Sequence, residues 1–280
     1  MQIPGFDYQR VPVDGDVALN VAVGGDGPPI VLLHGFPQTH LMWRKVAADL
    51  AADHTVICPD LRGYGASDKP AEGYSKRRMA ADIITLARAL GHDRFELAGH
   101  DRGALVAFRA GLDHPAAITR LTLLDIVPTL DMWDVLHGVR AAIGFHLFLM
   151  AQPPGLPETM IGAAPDAFFG HFLDVWAKSP FPADVRAEYL AASAAAVPSI
   201  VADYRASATT DIEDDAADRA AGRTLTMPVT VLQQDWGAQL GYDATAVWRP
   251  WAPRLDHRLV TCGHFMAEEA PDEVIKAIRS

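Results

Sequence analysis

Arg94-Phe-Glu-Leu-Ala98, Gly99-His-Asp-Arg-Gly103 and Ala104-Leu-Val-Ala-Phe-Arg-Ala110 run on without a break, and their reading decides the fold. The first segment has the apolar character of a strand and the last that of a helix. A Gly-x-nucleophile-x-Gly pentapeptide between strand and helix is the signature of a nucleophile elbow. Its glycines let the two backbones approach and permit a strained turn that exposes the central side chain. Here that side chain is the carboxylate of Asp101.

Outward from the elbow, strand and helix patterns alternate. Toward the N-terminus, residues 6–24 alternate around Asp14-Gly15 as a β-hairpin. The run 28–33 is short and continuously apolar, as buried parallel strands are, and ends in His34-Gly-Phe-Pro37. A helix is expected over Leu41 to Ala52, a strand over Thr55 to Cys58, and a helix over Ser75 to Leu90, closed by Gly91. Toward the C-terminus, Ile118 to Ile126 is a further strand. Residues 129–222 then show no strand pattern, with helical stretches over Trp133–Met150, Ala167–Ala177 and Val185–Ala195. The acidic run Asp211-Ile-Glu-Asp-Asp215 reads as a solvated face. Alternation resumes with strands at Met227–Leu232 and Leu255–Thr261 and helices at Ala244–Trp251 and Pro271–Ile278. This order predicts an α/β fold, a mostly parallel sheet with helices on both faces. Its core is 1–128 with 223–280, and a helical cap of 129–222 is inserted after the strand ending near Ile126, over the strand ends where such sheets bind ligands.

Half of the 280 residues are hydrophobic, enough for a sizeable core, and the formal net charge is −11. An acidic chain argues against nucleic acid as a partner. Cys58 and Cys262 lie in apolar runs and read as buried free thiols of a reducing compartment. Met1 to Phe6 has neither the basic nor the apolar region of a secretory signal, and the run Ala141 to Met150 is too short to span a membrane. A cytoplasmic protein without membrane contact is expected. No metal-ligand pattern stands out, and Arg62–Ser67 lacks the Lys-Ser/Thr ending of a phosphate loop.

Five motifs in order carry a resemblance along the whole chain: His34-Gly-Phe-Pro37, Arg62-Gly-Tyr-Gly-Ala-Ser67, Gly99–Gly103, Leu124-Asp-Ile-Val-Pro128, and Cys262-Gly-His-Phe265 with Glu268-Glu-Ala-Pro271. The sequence resembles the α/β-hydrolases with an aspartate nucleophile, which include haloalkane and haloacetate dehalogenases and epoxide hydrolases. The elbow, Leu124–Pro128, Ala151-Gln-Pro153 and Asp203-Tyr-Arg205 resemble the fluoroacetate (haloacetate) dehalogenases in particular. The resemblance implies hydrolysis of short haloacids or related halogenated compounds, with water as co-substrate and no cofactor. It also implies a homodimer formed through the cap.

In this chemistry Asp101 attacks a saturated carbon and forms an alkyl ester, with no base needed for that step. His264 then takes a proton from the water that hydrolyses the ester; its place after nucleophile and acid fits the chain order of this fold. His100 reads as support for the elbow. The acid that orients His264 has two candidates. Asp125 follows the strand after the elbow helix, as in the resembled dehalogenases, and is preferred; Asp235 follows the next strand, near the place epoxide hydrolases use. Backbone N–H groups of Phe36 and Arg102 are expected to form the oxyanion hole.

The resemblance gives Arg102 a substrate carboxylate to hold, with a second arginine three residues on, where this chain has Leu105. Around the leaving halide it places a His-Trp pair and a tyrosine. His146 and Tyr204 match, Leu147 stands at the Trp position, and Trp176 is a candidate replacement donor. These changes imply a substrate larger or less anionic than fluoroacetate, or a more easily displaced halide. The runner-up is an epoxide hydrolase using the same ester, with Tyr204 as the ring-opening acid; Tyr189 is the other tyrosine of the cap. A third reading is a non-hydrolytic or ligand-binding protein of this fold, and the set Asp101, Asp125 and His264 argues against it. The sequence argues against a serine esterase, because no Gly-x-Ser-x-Gly occurs.

Overall fold

The computed structural model describes residues 1–280, the side chains of Arg140, Trp236 and Ala238 apart. Eight strands form one sheet: β1 Asp7–Asp14, β2 Val17–Gly24, β3 Pro29–Leu33, β4 Thr55–Pro59, β5 Phe95–His100, β6 Ile118–Leu124, β7 Val229–Gln233 and β8 Leu255–Leu259. Their order is β1-β2-β4-β3-β5-β6-β7-β8. The β1/β2 hairpin and its junction with β4 are antiparallel, and every other pairing is parallel. The expected hairpin and mostly parallel sheet are both present.

Helices α1 Arg44–Leu50, α2 Lys76–Ala89 and α3 Arg102–Asp113 connect the first strands. Between β6 and β7 lie α4 Thr129–Val135, α5 Phe145–Met150, α6 Leu156–Ala163, α7 Pro165–Val175, α8 Ala183–Ala194, α9 Val197–Ser207 and α10 Thr210–Ala220. Helices α11 Trp236–Leu240, α12 Ala244–Trp248, α13 Met266–Glu269 and α14 Pro271–Ile278 complete the chain. Successive strand residues feed opposite faces, as a period of two demands. Val31, Leu33 and Leu97 join one apolar cluster with α2 and α3, whereas Ile30, Leu32 and Ala98 join another with α1 and α14.

The helical stretch expected over Trp133–Met150 is broken. Residues Gly138–Gly144 form a 3₁₀ turn between α4 and α5, and Gly138 has φ 61°. Helices α6 and α9 lie outside the stretches with helical spacing. Each carries a proline in its first turn, where the missing N–H costs no intrahelical bond. The acidic run is a solvated face only in part, with Glu213 exposed. Asp211 and Asp215, one turn apart on α10, are buried. Asp211 approaches Lys76 to 3.7 Å, and Asp215 pairs with Arg109 of α3 at 2.5 Å. Among the described residues no helix is long and apolar enough to cross a membrane, and Cys58 and Cys262 are free and buried.

Candidate active site

The parallel register fixes where the site forms. Leu33 pairs with Gly99 and His100 with Leu124, so β3, β5 and β6 end side by side. Phe36, Asp101 and Asp125 follow those three ends. Asp101 sits at φ 49°, ψ −118°, a conformation uncommon for a residue with a side chain. The turn is packed against its neighbours: a Cβ on Gly103 would lie 2.4 Å from the His34 carbonyl oxygen, and one on Gly99 2.5 Å from the Gly103 carbonyl oxygen. Only glycine fits at either place.

The Phe36 N–H donates to Asp101 Oδ1 at 2.7 Å, and Asp101 Oδ2 lies 3.9 Å from His264 Nε2. His264 Nδ1 is 2.6 Å from Asp125 Oδ2, and Asp125 Oδ1 accepts from the Gln234 N–H at 3.1 Å. The structure thus brings Asp125, rather than Asp235, to His264; Asp235 is exposed beyond β7. His264 Nε2 is buried and makes no hydrogen bond of its own. Burial lowers the affinity of this imidazole for a proton, but the hydrogen bond and charge of Asp125, with Asp101 and Glu269, outweigh it, and the pKa is raised. His100 lies beneath, its Nε2 2.8 Å from the His264 carbonyl oxygen.

The His264 loop is also tied to the inserted helices. The His264 N–H donates to the Trp176 carbonyl at 2.9 Å, just past α7. Glu269 Oε2 accepts from the N–H groups of Gly263, at 3.0 Å, and Lys178, at 2.9 Å. The Trp176 ring packs edge-on to His264, with centroids 4.9 Å apart.

A cavity of about 100 Å³ opens above Asp101, and its wall is mainly apolar. Asp101, Arg102, Leu105, Asp125, His146, Leu147, Trp176, Tyr204 and His264 all line it. The His146 ring contacts those of Tyr204 and Trp176, at 5.4 and 5.1 Å between centroids. Burial and the nearby charge of Arg102 hold His146 well below the ordinary imidazole range, so it is neutral. Burial and the charge of Asp101 hold the Tyr204 phenol well above its ordinary range, so it keeps its proton and can donate.

The Arg102 guanidinium lines the cavity as expected, but two of its three nitrogens are already engaged. Nε and Nη2 donate to Asp203 Oδ2 and Oδ1 at 2.9 and 2.8 Å, and Nη2 also reaches Ser207 Oγ at 2.6 Å. The plane lies 4.2 Å over the Tyr204 ring. Asp203 is fully buried and also accepts from Lys76 Nζ and the Tyr64 hydroxyl. Tyr189, the other tyrosine weighed, is turned away and donates to Glu268 at 2.7 Å. A second tyrosine does line the cavity, but it is Tyr242, beyond β7, whose hydroxyl accepts from Gln233 Nε2 at 3.0 Å. Sequence reasoning missed Asp203, Gln233, Tyr242 and Glu269 as site neighbours. Glu269 and Asp203 carried a signal, as parts of the Glu268–Pro271 and Asp203–Arg205 motifs.

Comparison with known proteins agrees with this architecture. The family model described as alpha/beta hydrolase fold matches residues 28–271. A fluoroacetate dehalogenase of Burkholderia sp is 38% identical, the match covering 98% of this chain and 93% of the relative. A soluble epoxide hydrolase of Corynebacterium sp. (strain C12) is 34% identical, covering 92% and 91%. The solved structure of an alpha/beta hydrolase from Nostoc sp PCC 7120 superposes with a TM-score of 0.93 at 40% identity, covering 99% of this chain and 98% of that one. With the elbow, the strand order and these matches together, the chain belongs to the alpha/beta hydrolase fold family.

Proposed function

We propose that this protein hydrolyses a carbon–halogen bond of a short halogenated compound through an alkyl ester on Asp101. The observation that carries the proposal is the division of labour between the two Asp101 oxygens. Oδ1 is held by the Phe36 N–H, while Oδ2 faces His264. Oδ2 is the nucleophile: it forms the C–O bond as the C–halogen bond breaks, and the halide departs with that electron pair. Tyr204, Trp176 and His146 border the space into which the halide would leave.

In the second step His264 Nε2 takes a proton from water, and the hydroxide adds to the Asp101 carboxyl carbon. Negative charge develops on Oδ1, where the Phe36 N–H already lies, with the Arg102 N–H at the start of α3 as its partner. Collapse expels the alcohol, which receives the proton from His264, and leaves Asp101 as a carboxylic acid; the second water proton then passes by way of His264 to solvent and restores the carboxylate. Asp125 holds the imidazole in the required tautomer and stabilises its charged form. Residues 129–222 serve as the cap that excludes water from the first step.

Epoxide opening is the second reading, and the buried, protonated Tyr204 phenol favours it, because ring opening needs a proton donor at the leaving oxygen. Separate reactions with chloroacetamide, chlorobutane and styrene oxide distinguish the two. Halide release supports the first reading. Diol formation without any halide release would replace it with the second.

A further inference from the structure

We propose that the site selects an uncharged alkyl substrate and discriminates against carboxylate-bearing ones. This rests on the ester reading of Asp101 and names the substrate class for it. Arg102 supplies the guanidinium among the cavity-lining residues, and its charge is already neutralised. Two of its nitrogens are engaged by Asp203 and Ser207, and the face of its plane by Tyr204. The cluster around it extends one layer deeper. Lys76 binds Asp203 and approaches Asp211 at 3.7 Å, and Asp211 accepts from Ser207 Oγ at 3.2 Å. Two cations therefore face two carboxylates, and the cluster presents no net positive charge to the cavity.

The rest of the cavity works in the same direction. Asp101 and Asp125 add two further carboxyl groups at its floor, beside the imidazole of His264. A substrate anion brought within reach of Asp101 meets these carboxylates with no further cation among the described lining residues to offset them. Leu105, Leu147, Met132, Leu136 and Ile143 form the facing wall. Pressing a carboxylate against that wall strips its water without replacing the hydrogen bonds, whereas an alkyl arm gains by the same contact. Arg102 cannot simply turn toward an anion. Doing so would abandon Asp203 in a fully buried position, shared with Lys76 and Tyr64.

The test uses the intact wild-type protein and two nearly isosteric substrates, chloroacetamide and chloroacetate, which differ in charge. Halide release is measured as kcat/KM for each, with the Asp101 peptide of a His264→Gln variant weighed after incubation with each. The expected result is a preference of about 100-fold or more for chloroacetamide, with an alkyl adduct on Asp101. Inhibition should follow the same order, butyramide competing better than butyrate. Equal or better turnover of chloroacetate, with the adduct present, overturns the proposal and leaves the ester reading intact. Halide release from either substrate without an adduct on Asp101 overturns the ester reading, and the proposal with it.

Discussion

The Arg102 guanidinium and the Asp203 carboxylate meet in two hydrogen bonds, Nε to Oδ2 at 2.9 Å and Nη2 to Oδ1 at 2.8 Å. They join the elbow helix α3 to α9, both side chains being buried. The pair therefore fixes the inserted helices to the sheet beside the nucleophile and, by the same contacts, withdraws a cation from the cavity.

Removing one partner of a buried pair leaves the other charge uncompensated. Asp203→Ala strands both Arg102 and Lys76, and should lower the unfolding free energy by about 3–5 kcal/mol. Urea denaturation measures this. A loss below about 0.5 kcal/mol, the level of a surface substitution, would mean that the cluster does not hold α9 in place.

The raised pKa of His264 sets the pH dependence. Protonated His264 cannot take a proton from water, so activity should rise with pH as this group loses its proton. The midpoint of the acid limb of kcat should lie above about 6.5, the ordinary imidazole value. Burial opposes the shift and Asp125 drives it, so any limb that survives in Asp125→Asn should move to lower pH. An acid limb in the wild type below the ordinary value would contradict the assignment of His264 as base.

Asp125 and Asp235 separate cleanly by mutation. Asp125→Asn should lower kcat by about 10³–10⁴-fold, the effect of losing the orienting carboxylate in a triad. Asp235→Asn should leave kcat within a few-fold of wild type. The reverse pattern would reassign the acid.

Leu105 lies one turn along α3 from Asp101 and lines the cavity. Leu105→Arg adds a guanidinium that Asp203 does not already occupy. It should raise kcat/KM for chloroacetate by about tenfold or more, since a hydrogen bond to a charged group contributes about 1.5–3 kcal/mol. Unchanged chloroacetate turnover in a folded variant would show that charge at this wall does not govern substrate choice.

Much of the fold and part of the site are legible in the sequence, for physical reasons that differ from element to element. The elbow reads clearly because strand, close-packed glycines and helix are local and contiguous. The motif order then places Asp101, Asp125 and His264 at strand ends, where a parallel sheet gathers them. The inserted helices are harder to read. Pro157 and Pro198 look like breaks but sit in first turns, and Gly138 interrupts an otherwise apolar helical run. Asp211 looks like a surface acid because its partner Lys76 is more than a hundred residues away, and the motif that holds Asp203 gives no local sign of its pairing with Arg102. Burial of a carboxylate depends on that long-range pairing, which local composition does not carry. Tyr242 likewise reaches the cavity from beyond β7 through tertiary packing alone.

The central claim is that Asp101 itself becomes the ester. A single turnover in heavy-oxygen water, with enzyme in excess over chloroacetamide, followed by mass analysis of the peptide containing Asp101, tests it most directly. The account requires the label to enter the Asp101 carboxylate and the alcohol product to carry the original, light oxygen of Asp101. Label found in the product alone, with the Asp101 peptide unchanged, would mean that water attacks the substrate carbon directly, and would contradict the account.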